Sequence, residues 1–322
     1  MITPAQFAVF VSNVNTLIGQ AWVEPEASVY TELAQTIPSS STQNVYGWTG
    51  MLQVPRVWTG PRIVDEPAPQ TYTLVNMPYE KTVAIDRFHL DDDMMGIYYR
   101  VLPDMARQIK RLPDLWSRDL LENRGTQTGS RQNGLDTLTF FNTAHPIDFY
   151  DSSKGTYSND ATAGGIPGVG GAFSPTALAT LYEYMLGLKG EDLEVLKVIP
   201  DTVMIPNQLK LEAELVIKSM TFAPSSWGTI TGQVGAADNP LRRFGLDMLI
   251  NPYLKSATTW YLADTKRAFK PMIWQVREAP RMVPRIQEND PVVFDMHKYL
   301  WGGWGRAAPG WGPSWLMARS GT

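Results

Sequence analysis

From residue 94 to residue 122 an apolar side chain returns every three or four positions. Ile97, Val101, Met105, Ile109, Leu112, Trp116 and Leu120 share one face, and Arg100, Arg107, Lys110, Arg111 and Arg118 lie mostly on others. The spacing predicts an amphipathic helix, about 43 Å long if unbroken. Pro103 and Pro113 fall inside it. Each removes a hydrogen bond and clashes one turn back, so a kink or a break is expected, with Pro113 in a first turn. A shorter helix is predicted over 4–20. There Phe7, Val11, Val14 and Ile18 recur at helical spacing after Thr3 and Pro4.

Between these helices the pattern changes. Residues 48–86 hold short β-like runs, Leu52–Trp58, Thr71–Asn76 and Thr82–Ile85, punctuated by TGP at 59–61 and EPAP at 66–69. Proline cannot donate to a ladder, so these runs read as edge strands or a protruding ribbon. Such a ribbon has no core of its own and needs something to lie on. Residues 123–173 are loop-rich. Ser174-Pro175 starts a helix to about Leu188, with Leu178, Leu181, Tyr182 and Met185 inward. Val195–Ile205 reads as a buried strand, and Asn207 as the cap of a helix to about Met220. Further strands are expected over Phe244–Ile250, Thr259–Leu262, Met272–Val276 and Val292–Trp301. Strands and helices alternate without a regular βαβ series, so the fold class is α+β.

Composition narrows the function classes. The 322 residues are 43% hydrophobic and 19% charged, enough for a real core. The net charge of −4 gives no global signature of tight nucleic-acid binding. Cysteine is absent, which excludes disulfides, thiolate metal sites and a cysteine nucleophile. No apolar run approaches the ~20 residues that span a bilayer. The opening MITPAQFAVF lacks the basic lead of a signal peptide, so an intracellular protein is expected.

Candidate chemistry is sparse. Asp91, Asp92 and Asp93, beside His89, offer hard oxygen ligands for Mg²⁺ or Ca²⁺. Consecutive residues point in different directions, however, and no D-x-D-x-D-G loop is present. Aspartate is also a favoured N-cap, and the long helix follows at once, so all three are assigned to the helix N-terminus. His89, His145 and His297 fit no ligand spacing. The glycines of 164–173 lack the lysine of a phosphate loop, and they read as a flexible loop. No G-x-S-x-G elbow occurs. The Trp-rich tail 301–315 reads as a strand packing aromatics on a neighbouring element or subunit, ahead of a base- or sugar-stacking surface. No catalytic residue, metal or cofactor is assigned.

Three stretches in order, GWTGMLQVPRVWTGPRIV, DRFHLDDDMMGIY and FFNTAHP, resemble the Mu-like phage major head subunit family. NPLRRFGLDMLINPYL, TTWYLADTKRAFKPMIWQVREAP and FDMHKYLWGGWGR continue the resemblance, which covers about residues 45–310. It implies the tailed-phage major capsid fold. Residues 1–47 would then be an N-terminal arm and 48–80 the E-loop. Residues 81–173 would be a peripheral domain with a spine helix over about 92–122. Residues 174–260 would be the axial domain, and 261–322 the return to the peripheral domain and the tail.

The resemblance further implies a non-enzymatic protein that assembles with itself into pentamers and hexamers, forming an icosahedral shell around double-stranded DNA. Leu52, Val54, Val57 and Trp58 would anchor on a neighbouring subunit, with Arg56, Arg62, Asp65 and Glu66 setting register. Scaffold protein and maturation protease would be separate chains, since no long leader precedes the arm. A portal completes the expected partners, and a decoration protein is an option that the sequence does not decide. DNA would be held by weak, non-specific contact, without a membrane. The location would be the virion capsid, after assembly in the host cytoplasm. Residues 48–80 contain no lysine, so no covalent E-loop crosslink through lysine is expected. The competing readings are a non-viral protein compartment of the same fold and a metal-dependent hydrolase built on Asp91–Asp93 and His89.

Overall fold

The computed structural model describes residues 4–23, 28–48, 59–60, 70–92, 96, 98–122, 133–162, 164–222, 237–287 and 289–321. The elements run α1 (Pro4–Val23), α2 (Tyr30–Leu33), β1 (Ala34–Pro38), β2 (Gln43–Trp48), β3 (Gln70–Val75), β4 (Met77–Asp86), α3 (Arg87–Asp91) and α4 (Tyr98–Leu121). Then come β5 (His145–Pro146), β6 (Thr156–Tyr157), α5 (Pro175–Leu186), β7 (Thr202–Pro206), α6 (Lys210–Lys218), β8 (Thr221–Phe222) and β9 (Ala237–Asp238). The chain closes with β10 (Asp247–Asn251), β11 (Trp260–Ala263), β12 (Met272–Arg285), α7 (Pro291–Met296), β13 (Lys298–Trp311) and β14 (Met317–Ser320).

Two four-stranded sheets organise the molecule. The first has the order β1-β12-β13-β4 and the second β10-β7-β11-β14. In the first, β12 and β13 are 14-residue strands, each about 46 Å long. Alternation along β13 sends Tyr299, Trp301, Gly303, Gly305 and Ala307 toward the helices. Val83 and Ile85 of β4 join them against Phe10 and Val14 of α1 and Met105 and Ile109 of α4. Gly303 and Gly305 are small because that face is crowded. A Cβ at Gly303 would collide with Ile109 Cδ1, and one at Gly305 would lie 2.5 Å from the Tyr79 hydroxyl.

The second sheet packs on α5 and α6 through Leu178, Leu181, Met185, Val216 and Ile217. Its core also takes in Ala161, Ile166, Val169 and Phe173 from upstream and Ala318 from the C-terminal strand. A third cluster joins the two sheets. Met204, Tyr261 and Met317 of the second meet Met272, Trp274 and Trp311 of the first, with Leu120 and Leu121 of α4 between them.

Four local expectations need correction. Helix α4 runs unbroken through Pro103 and Pro113, so Pro113 does not open a second helix. Seating the apolar face on β13 and β4 outweighs the cost of about 3 kcal/mol per interior proline. Val195–Ile205 is strand only from Thr202. Asn207 begins a 3₁₀ turn (Asn207–Leu209) that leads into α6, with no side-chain cap at Pro206. Residues 291–296 are helical rather than strand, because Asp290 accepts from the Val292 N–H and Pro291 occupies the first turn. The Ser174 cap of α5 is as expected, its hydroxyl accepting from the Ala177 N–H.

Candidate functional site

The aspartate run is the first place to look for chemistry. Asp86 is the residue that caps a helix here. Its carboxylate accepts from the Phe88 N–H at 2.9 Å and starts α3. Asp91 is the last residue of that helix and Asp92 its C-cap, with the Asp92 N–H bonded to the Phe88 carbonyl at 3.1 Å. Neither sits where free N–H groups stabilise a carboxylate, so the N-terminal assignment of Asp91 and Asp92 is corrected. Asp93 lies outside the described residues. Helix α4 begins only at Tyr98. Among the described residues no group of three or more His, Asp or Glu side chains could hold a metal ion.

The histidines are dispersed. His89 and His297 are exposed, while His145 is fully buried. His145 Nδ1 meets the Asp136 carboxylate. Nε2 faces the Phe140 carbonyl at 2.9 Å and Asn159 Oδ1 at 3.1 Å. Asn159 Nδ2 donates to the Phe140 and Ser314 carbonyls at 2.7 and 3.1 Å. Every polar atom has a partner, and the network ties 136–145 to the C-terminal segment. That is structural work. The glycine stretch is also more fixed than expected, since Ile166, Val169 and Phe173 are buried in the core.

The tryptophans of the tail are packing groups. Trp301 and Trp311 are buried, and Trp311 stacks on Phe140 with centroids 3.8 Å apart. Trp304 is half-buried beneath the Arg281 guanidinium.

What remains is surface built for contact. Strands β2 and β3 pair from Gln43 opposite Val75 to Trp48 opposite Gln70, forming the stem of a ribbon. Gly60 stands midway with φ 124°, a conformation glycine adopts at low cost. The remaining ribbon residues, including Leu52, Val54, Arg56, Val57, Trp58, Arg62, Asp65 and Glu66, lie outside the described residues. The stem is pinned to the first sheet by Gln275, which is fully buried. Its amide donates to Asn76 Oδ1 at 2.7 Å and to the Leu74 carbonyl at 3.2 Å, and its carbonyl accepts from the Tyr46 hydroxyl at 2.7 Å. Sequence reasoning missed Gln275; its one signal is an amide inside the apolar run MIWQV.

A cavity of about 350 Å³ opens between α4 and the same sheet, lined by Trp22, Tyr30, Tyr79, Lys110, Asp114 and Trp274 among others. Burial, and then the neighbouring Tyr30, push the Tyr79 hydroxyl up to about 12. Asp114 there accepts from the Tyr30 N–H at 2.8 Å, fixing the start of α2. Exposed apolar side chains gather in two other places, Phe88, Phe294 and Met296 at the far end of the first sheet and Leu211, Leu215 and Met220 around α6. No described helix is long and apolar enough to cross a membrane.

Comparisons with known proteins agree with a contact-making role. Residues 10–168 and 247–321 match the family described as Mu-like prophage major head subunit gpT. The chain is 24% identical to the major capsid protein of Escherichia phage Mu over 299 residues, 93% of this chain and 68% of that protein. It is 28% identical over 120 residues to the Mu-like prophage FluMu major head subunit of Haemophilus influenzae, 37% of each. Among solved structures, the procapsid of bacteriophage JBD30 superposes with a TM-score of 0.54 at 24% identity, covering 100% of this chain and 76% of that one. The JBD30 capsid decorated with minor capsid protein trimers gives 0.55 at 21% identity, covering 79% of this chain and 100% of that one. These likenesses establish the tailed-phage major capsid fold.

Proposed function

This chain belongs to the Mu-like prophage major head subunit family, and we propose that it builds a tailed-phage head by assembling through pentamers and hexamers into an icosahedral shell around double-stranded DNA. The family match on both sides of residues 169–246, which takes in the whole first sheet and three strands of the second, carries the reading. The protein is a major head subunit of the virion capsid, and its task is association. Heterologous contacts whose rotation closes make rings. Each interface of about 1,200–2,000 Å² adds avidity to the next.

Residues 1–47 serve as the arm and 48–80 as the E-loop; the β2–β3 stem supports a ribbon at this place. The spine is assigned to about 92–122, supported by α4. Residues 81–173 form the peripheral domain and 174–260 the axial domain; 261–322 return to the first and end in the second sheet. Leu52, Val54, Val57 and Trp58 anchor on a neighbour, and Arg56, Arg62, Asp65 and Glu66 set register. A scaffold protein and a maturation protease act as separate chains, with a portal and a decoration protein as further partners. Assembly takes place in the host cytoplasm, and DNA is confined rather than tightly bound.

Negative-stain electron microscopy with light scattering, on the purified chain alone and with a scaffold protein, tests this reading. Closed shells, tubes or capsomer rings are expected. A strictly monomeric particle under both conditions would sink it.

A further inference from the structure

Close packing leaves few voids larger than a water molecule. The cavity between α4 and the first sheet holds about 350 Å³, at the small end of the range for ligand sites. Several elements build its wall: Trp22 comes from α1, Tyr30 from α2, Tyr79 from β4, Lys110 and Asp114 from α4, and Trp274 from β12. Ala279 and Pro280 also line it. Register shifts in β12, between Val276 and Glu278 and between Glu278 and Arg281, leave both outside the paired register. Ala279 is exposed, so this irregular stretch marks the mouth.

The wall is aromatic. The Tyr30 and Trp274 rings lie 5.6 Å apart, and Trp116 stands 6.0 Å from Trp274 and 5.7 Å from Tyr79. Its polar groups favour a donor. Asp114 is a buried carboxylate, and its influence reaches the neighbouring phenol: burial first, and Asp114 second, raise the Tyr30 hydroxyl above its ordinary 10. Ile109 and Pro113 line the cavity too. Proline has no N–H, so the Ile109 carbonyl one turn back loses its helical donor and can accept from a ligand. Lys110 is a cation in the wall, but its ammonium donates to the Ala21 carbonyl at 3.3 Å, near the C-terminal end of α1, where a positive charge is well placed.

We propose that this cavity binds a small organic cation, an alkylammonium whose charged head meets Asp114 and the Ile109 carbonyl and whose carbon body lies among Tyr30, Tyr79 and Trp274. An ammonium brings donors and no acceptor, which matches a carboxylate and a carbonyl. Aromatic faces attract a cation held within about 6 Å of the ring centroid. The inference goes beyond the shell-building reading and does not depend on it. Because α1, α2, α4, β4 and β12 all contribute to the wall, the bound cation ties the N-terminal segment to the sheet and raises the melting temperature.

Three probes of one shape and different charge test this on the full chain: phenethylammonium, phenethyl alcohol and phenylacetate, titrated by ligand-observed proton NMR with thermal melts beside it. Phenethylammonium should bind about tenfold more tightly than the alcohol, phenylacetate should bind weakest, and only the cation should raise the melting temperature clearly. Asp114→Asn keeps an acceptor for the Tyr30 N–H and removes the charge. It should bring the affinity for phenethylammonium down to near that for the alcohol and leave the latter unchanged. Ala279→Trp, at the exposed mouth, should abolish binding of all three while the circular dichroism stays that of the parent, so the test survives if Asp114→Asn fails to fold. Equal affinity of the parent for cation and alcohol, tightest binding of phenylacetate, cation binding that persists in Ala279→Trp, or no binding of any probe would each overturn the inference.

Discussion

Gly303 shows how one missing side chain sets a layer spacing. It lets α4 approach β13 until Ile109 occupies the space a Cβ would need. Gly303→Ala should therefore lose about 1–3 kcal/mol, and adding Ile109→Val should recover part of it; denaturant melts of the two variants check both. No recovery would mean that the helix backbone, not Ile109, sets the spacing. Arg319 and Asp160 pose an electrostatic question at the same scale. They meet at 2.6 Å and join the second sheet to the loop before α5. Burial pushes the Asp160 carboxyl up, but hydrogen bonds from Arg319 and Thr162 outweigh it and hold it below the ordinary 3.8. A carboxylate depressed on folding adds stability above its unfolded pKa, and that stability drains as pH falls from about 4 through the lower folded value. Arg319→Met should thus melt below the parent at pH 7, and the gap should narrow below about pH 4. Some gap should persist, because Arg319 also lies over the Phe141 ring at 4.8 Å. A gap constant from pH 7 to pH 3 would assign the whole effect to packing.

At the scale of elements, local signals were legible where one residue decides. Ser174-Pro175 announced α5, and the three- and four-residue spacing announced α4. The aspartate run misled because a short helix intervenes. Asp86 holds the cap position of that short helix, while the apolar spacing of α4 begins at Ile97, eleven residues downstream. The two assignments separate by mutation. Asp86→Ala removes the acceptor for the Phe88 N–H and should cost about 0.5–2 kcal/mol. Asp92→Ala, exposed at the C-terminal end, should change stability by less than about 0.5 kcal/mol. Equal losses in thermal melts would return the capping role to the later aspartates. The tail illustrates a different limit. Its reading as a strand that packs aromatics is met in β13, but Gly at 302, 303, 305 and 310 gives no sign that this strand is central and that both helices and the ribbon stem pack against it.

For the molecule as a whole, the pairings that define the fold join distant stretches. Ala34 lies opposite Met272, Ile85 opposite Tyr299, and Met317 opposite Ala263. No local period encodes them, and none points to the seat of β2 and β3 on Gln275. That seat also dictates how the role of the ribbon is tested. A deletion reaching residue 76 would strip Tyr72 and Leu74 from a buried cluster and confuse folding with assembly. Trp48 and Gln70 are directly paired, so replacing residues 49–69 by Asn-Gly closes the stem with a two-residue turn whose twist matches the strands. The variant should keep the circular dichroism of the parent and a stability within about 1 kcal/mol, since it leaves Tyr46, Tyr72 and Leu74 in their cluster on Ala308. It should nonetheless fail to close a shell under conditions in which the parent does. Shells of normal size from the shortened chain would show that closure does not depend on the ribbon, and would move the search for the decisive contact to Phe88, Phe294 and Met296 at the other end of the sheet.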